Sequence, residues 1–167
     1  MSSTTLLLDS TELEKTSLLE EDEQIKLFKI HHRVNGRRYI LTILHFNQHE
    51  SISTDFQQEF KIIQDLDHPN IVKCYEVSAQ NDGIHFLNEF LTSPSLRGSH
   101  ITDESLLSHL TRQVLFALSC LHQRKIVHGA IRLSRLFMNT RTGCAKIMGC
   151  MVPWFKYSRV VHGFIFL

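Results

Sequence analysis

At 167 residues the chain has the length of one domain, and with 43% of its residues apolar it can bury a sizeable core. A net charge of +1 argues neither for a nucleic-acid partner nor for an anionic membrane, and no stretch reaches the roughly 18 apolar residues that a membrane span needs. Cys74, Cys120, Cys144 and Cys150 show no C-x-x-C spacing, so reduced thiols without a metal are expected, in the cytoplasm or nucleus.

In chain order, residues 1–11 are rich in Ser and Thr and are expected to be disordered. They lack the basic start and apolar run of a signal peptide, and Ser2 stands where myristoylation needs glycine. Residues 16–46 alternate as strands do, with Leu27, Lys29 and His31 facing one way and Phe28, Ile30 and His32 the other. Asn35-Gly36 marks a hairpin before Tyr39-Ile40-Leu41-Thr42-Ile43-Leu44, because both turn residues tolerate a positive φ. After a polar loop at 45–55, Thr54 with Gln57 suits a capping box, and the helix that follows places Phe56, Phe60 and Ile63 on one face. His68-Pro69-Asn70 is a turn, and two strands flank Asn81-Asp82-Gly83. Ser93-Pro94-Ser95 reads as loop. Thr102-Asp103-Glu104 then opens a helix, a polar acceptor followed by acids in the first turn. Along it Leu107, Leu110, Val114, Ala117, Leu118 and Leu121 recur at three and four residues as a buried stripe.

The run Ile126-Val127-His128-Gly129-Ala130-Ile131-Arg132-Leu133-Ser134-Arg135 has the frame of a protein-kinase catalytic loop, H-R-D-x-K-x-x-N. Upstream, Gln58 to Ile63 followed by Leu66-Asp67-His68-Pro69-Asn70-Ile71-Val72 is similar to the kinase helix C and the turn after it. Phe86 to Leu91 looks like the strand entering the hinge between kinase lobes, and Leu110 to Val127 like the helix before the catalytic loop. On these segments, residues 12–150 resemble the protein kinase superfamily. Leu13-Glu14-Lys15, Val72-Lys73-Cys74 and Ile126-Val127-His128 are most similar to mitogen-activated protein kinase kinases of the plant type.

The resemblance implies an α+β, protein kinase-like fold. It places an antiparallel β-sheet upper lobe with helix C at 12–91 and an incomplete helical lower lobe at 92–150, between the N-terminal 1–11 and an unmatched tail at 151–167. It also implies positions for ATP-dependent phosphoryl transfer, most of which are altered. The glycine-loop positions fall on Glu20, Asp22, Ile25 and Leu27, so carboxylates stand where phosphates of like charge would lie. The strand-lysine position falls on Thr42, while its usual partner persists as Glu59, expected to face water. In the loop His128 is kept in a structural role, Gly129 takes the arginine position and Ala130 that of the proton-accepting aspartate. Arg132 replaces lysine, and Arg135 replaces the asparagine that holds magnesium; both are expected on a solvated basic face. Gly149, followed by Cys150 and Met151, replaces the metal-binding aspartate of D-F-G.

The resulting expectation is a kinase-like chain without catalytic, cofactor-binding or metal-binding residues. It would be a pseudokinase or decoy that binds a member of a protein kinase cascade, with ATP and magnesium expected only if the family function persists. A weakly active serine/threonine kinase and a non-functional truncated product remain open alternatives. Nucleic-acid binding has little support, since acidic residues balance Arg33, Arg37 and Arg38 and no aromatic platform is interleaved. Met151–Leu167 matches no activation segment, and without further helices the second half is expected to be poorly supported.

Overall fold

The structure, a computed structural model, describes residues 11–21, 25–45, 55–129 and 131–149, with backbone only for 55–59. The expectations for the N-terminal segment, the Thr54 capping box, the Phe56 side chain and the tail after Gly149 lie outside the described residues. The chain divides into two compact units: residues 1–67 with 73–92, and residues 68–72 with 93–167.

The first unit is a five-stranded antiparallel sheet in the order β1-β2-β3-β5-β4. Its strands are β1 (Leu13–Glu21), β2 (Ile25–His32), β3 (Arg38–Leu44), β4 (Cys74–Gln80) and β5 (Gly83–Glu89), with helix α1 (Asp55–Gln64) between β3 and β4. β3 is central, and every residue after Arg38 is buried, so it reads as a near-continuous apolar run, interrupted at Thr42, rather than an alternating one. β1 is an edge strand, largely exposed, and its pairing slips between Lys15 and Ser17 and again between Leu18 and Glu20. Such irregularities blunt an edge against pairing with other chains.

On one sheet face Ile30, Tyr39, Leu41, Ile43 and Leu87 form a buried cluster, with Phe28 and Leu13 packed against it. The phase expected for β2 places Phe28 and Ile30 together on this face. Opposite it, the Phe60 ring of α1 meets the Phe86 ring edge-on, with centroids 6.3 Å apart. The β4–β5 turn requires glycine at 83. Its φ is +147°, and a Cβ there would overlap the carbonyl oxygen of Leu44.

The second unit is built on α2 (Glu104–Gln123), followed by a short 3-10 turn (Leu133–Arg135) and the hairpin β6 (Leu136–Met138) and β7 (Ala145–Ile147). The α2 cap is Asp103, whose carboxylate accepts from the amides of Ser105 (2.8 Å) and Leu106 (3.1 Å). The buried face of α2 is narrower than the expected stripe. Leu110, Ala117 and Leu121 are buried, but Leu107 is exposed, as are Leu115 and Phe116 at 60% and 61%. The apolar spacing on this helix exceeds what its own unit covers. No described helix is long and apolar enough to cross a membrane.

Candidate functional site

In the first unit, Thr42 lies mid-strand, paired with Leu27 of β2 on one side and Phe86 of β5 on the other. A β-branched side chain suits that doubly covered position. The carboxamide of Asn88 donates to the Thr42 hydroxyl at 3.1 Å and to the carbonyls of Phe86 (3.2 Å) and Ile40 (3.4 Å). Both residues are buried. The pair is neutral, so where the resemblance sets a phosphate-gripping lysine the sheet holds a hydroxyl already engaged by an amide. Lys73 supplies no substitute charge, because its ammonium donates to the carbonyls of Gln64 (2.8 Å) and Leu66 (2.9 Å) at the end of α1. Glu20 and Ile25 stand at the β1–β2 connection, where the adjacent Glu21 pairs with Lys26 at 2.8 Å. Asp22 and the side chain of Glu59 lie outside the described residues.

In the second unit, the chain leaves α2 through Arg124 and Lys125, the latter with φ +59°. His128 then turns inward and is 2% exposed. Its Nε2 lies 3.2 Å from the carbonyl oxygen of Met148, which can only accept, so Nε2 carries the proton. Burial, with a smaller contribution from the Arg135 charge, lowers the His128 pKa to about 4 despite the hydrogen bond to Met148. The imidazole is therefore neutral at physiological pH and fixes the loop to the strand end that precedes Gly149.

Arg132 is exposed, as a solvated basic residue should be, and caps the 3-10 turn with its backbone. Arg135 contradicts the expectation of a solvated basic face. It is 2% exposed and among the largest fully buried side chains. The reason is local. The amide of Arg135 donates to Arg132 (2.8 Å), and its carbonyl accepts from the Met148 amide (2.9 Å). These bonds hold residue 135 beside the β7 end, and the guanidinium runs alongside Gly149. A Cβ added at Gly149 would overlap Arg135 Nη1 and lie 3.6 Å from Cζ. The second unit thus brings His128, Arg135 and Gly149 together, while Ala130 lies outside the described residues.

A half-buried amide bridge supports this region and was not visible from motif spacing. Gln113 of α2 accepts from Asn70 (2.7 Å) and from the Ala145 amide (2.9 Å), and donates to the Gly143 carbonyl (2.8 Å). Asn70 also donates to the Ala145 carbonyl at 2.7 Å. The signal for such residues is compositional: an amide side chain within an apolar run, as in Phe86-Leu87-Asn88, must find partners if buried.

The sequence pattern of the protein kinase domain matches residues 23–149. Among curated proteins, the chain is 30% identical to mitogen-activated protein kinase kinase 10 of Arabidopsis thaliana, over 91% of this chain and 48% of that protein. It is 27% identical to mitogen-activated protein kinase kinase 7 of the same plant, over 80% of this chain and 45% of that protein. It thus spans less than half the length of either relative. Among solved structures it is similar to residues 1–466 of Rad53 in complex with AMP-PNP. The TM-score is 0.73 at 16% identity, covering 84% of this chain and 38% of that one, a likeness of fold.

Proposed function

The chain belongs to the protein kinase superfamily, and from that premise we propose that it is a non-catalytic member, a pseudokinase that acts as a binding module in a cascade of the mitogen-activated protein kinase kinase type. The observation that carries this reading is the buried Arg135 guanidinium lying against Gly149. In the family's chemistry these two positions carry the asparagine and aspartate that hold metal. Here one offers a permanent cation and the other has no side chain.

The remaining positions agree in sign. Thr42 carries no charge to meet a phosphate, and the Ala130 side chain has no atom that accepts a proton. The residues present therefore do not fit a magnesium nucleotide. Such losses are not additive, yet together they remove the electrostatic contributions on which this reaction depends. Binding within a cascade is supported by the kinship with mitogen-activated protein kinase kinases, and the cytoplasm or nucleus is the setting it implies.

The test uses the purified full chain. Thermal unfolding with and without ATP and magnesium should show no metal-dependent stabilisation, and radiolabelled ATP should transfer no phosphate to a general acceptor. A magnesium-dependent rise in the unfolding midpoint, or transfer above background, would instead support an active serine/threonine kinase. Titration against purified cascade kinases should reveal a complex, and absence of any complex favours a non-functional product.

A further inference from the structure

We infer that Arg135 and Gly149 are a single interlocked replacement: the guanidinium occupies the volume that a side chain at 149 would fill, so neither position can regain metal binding while the other stays as it is. The inference deepens the reading above and rests on its assignment of the two positions.

Three observations carry it. Gly149 has a φ of +84°, and a Cβ built there would overlap Nη1, with Cζ at 3.6 Å and Cδ at 3.7 Å. The overlap is thus with the working end of Arg135, while its stem passes within van der Waals contact. Second, Arg135 is 2% exposed, so its guanidinium is enclosed and cannot swing into solvent without opening the packing that covers it. Third, the backbone hydrogen bond from Met148 to Arg135, at 2.9 Å, ties the two segments together, so they cannot drift apart to relieve the clash.

Chemistry then makes the two changes interdependent. Guanidinium is always protonated and keeps a fixed positive charge where a divalent cation would have to sit. An aspartate placed at 149 beside it would be taken up in an ion pair, its oxygens directed to N–H groups rather than to metal. An asparagine placed at 135 alone would remove the cation and supply one amide oxygen, but no carboxylate. Hard divalent cations need oxygen ligands in number, and only the double change supplies both. By this account the metal site is lost both to a filled volume and to a missing ligand, and neither loss can be reversed alone.

The experiment compares the full-length chain with Gly149→Asp, Arg135→Asn and the double variant, using Mn2+ alone as the probe. Paramagnetic broadening of backbone amide resonances reports both occupancy and folding. Localised broadening around residues 128–149 is expected in the double variant, with affinity about tenfold or more above either single variant. Gly149→Asp alone binding Mn2+ as tightly as the double would overturn the interlock, as would a folded double variant that binds no better than the unaltered chain. If the aspartate variants do not fold, thermal unfolding of Gly149→Ala decides. Its midpoint should fall by about 5 °C or more with Arg135 present and by less than half as much in an Arg135→Leu background. Equal losses in the two backgrounds would overturn the proposal. Phosphoryl transfer by the unaltered chain would refute the pseudokinase reading, whereas the Mn2+ comparison, made without nucleotide, speaks to the interlock alone.

Discussion

The Thr42 position of the sheet and the Arg135–Gly149 position of the second unit depart from the kinase pattern in opposite ways. At Thr42 a charge is removed and a small neutral hydrogen-bonded pair takes its place, with Asn88 as the partner. At Arg135 a charge is introduced, buried and packed against a bare backbone. Subtraction leaves a fold nearly indifferent to the missing charge. Occupation makes the replacement residue part of the packing, so the surrounding structure depends on it.

That contrast can be tested by substitution, starting with the largest expected effect. Gly149→Val combines a β-branched side chain at positive φ with overlap of the guanidinium, and should destabilise by about 4 kcal/mol in urea unfolding. A loss under about 1 kcal/mol would mean that Arg135 moves aside freely and the contrast is false.

The next effect is in pH. His128 is held neutral, with a folded pKa of about 4 against 6.5 in the unfolded chain. The unfolded state therefore binds more protons between those values, and stability must fall as the pH drops. The contribution is intact above pH 6.5 and is lost progressively from there to about pH 4, to a total on the order of 3 kcal/mol. Burial also lowers the pKa of His68, which adds loss of the same sign. Replacing His128 with Gln should flatten the decline in a pH series of urea midpoints. An unchanged slope would place the pH sensitivity elsewhere.

The smallest effect is expected at the subtracted site. Thr42→Val keeps the shape and removes the hydroxyl, but leaves the Asn88 amide its two carbonyl partners. The loss should be about 1 kcal/mol, and pairing it with Asn88→Leu should not add a second full increment. A strongly additive pair would show that the hydroxyl–amide bond does not couple the two residues, and a loss at Thr42 as large as that at Gly149 would erase the distinction.

Much of the fold was legible because strands and helices repeat. The alternation in β2, the near-continuous apolar run of β3, the Asn81-Asp82-Gly83 turn and the helix opened by Asp103 are periodic or punctuated signals in the chain itself. The resemblance gave Thr42, His128, Arg135 and Gly149 their alignment with family positions, but it could not give burial. An arginine between Ser134 and Leu136 reads as solvent-facing, since charged residues usually are. The backbone bond from Met148 holds this one beside the end of β7, where its side chain is enclosed. The α2 stripe failed for the converse reason: Leu107 has the spacing of a core residue, but spacing does not say whether a neighbour is there to meet it. The Gln113 bridge was missed because its partners are carbonyls and amides, which every residue type carries.

The segment His68–Val72 comes from the first half of the chain yet belongs to the second unit. Ile147 bonds to Asn70 at 2.8 Å and Val72 to Ile147 at 2.9 Å, a short parallel bridge beside the Gln113 amides. A fragment expressed from Ser93 onward would leave β7 with a raw edge and Gln113 without its Asn70 donor. Supplying residues 68–72 as a separate peptide should restore both, which makes this five-residue segment a natural handle for reassembling the unit from two pieces.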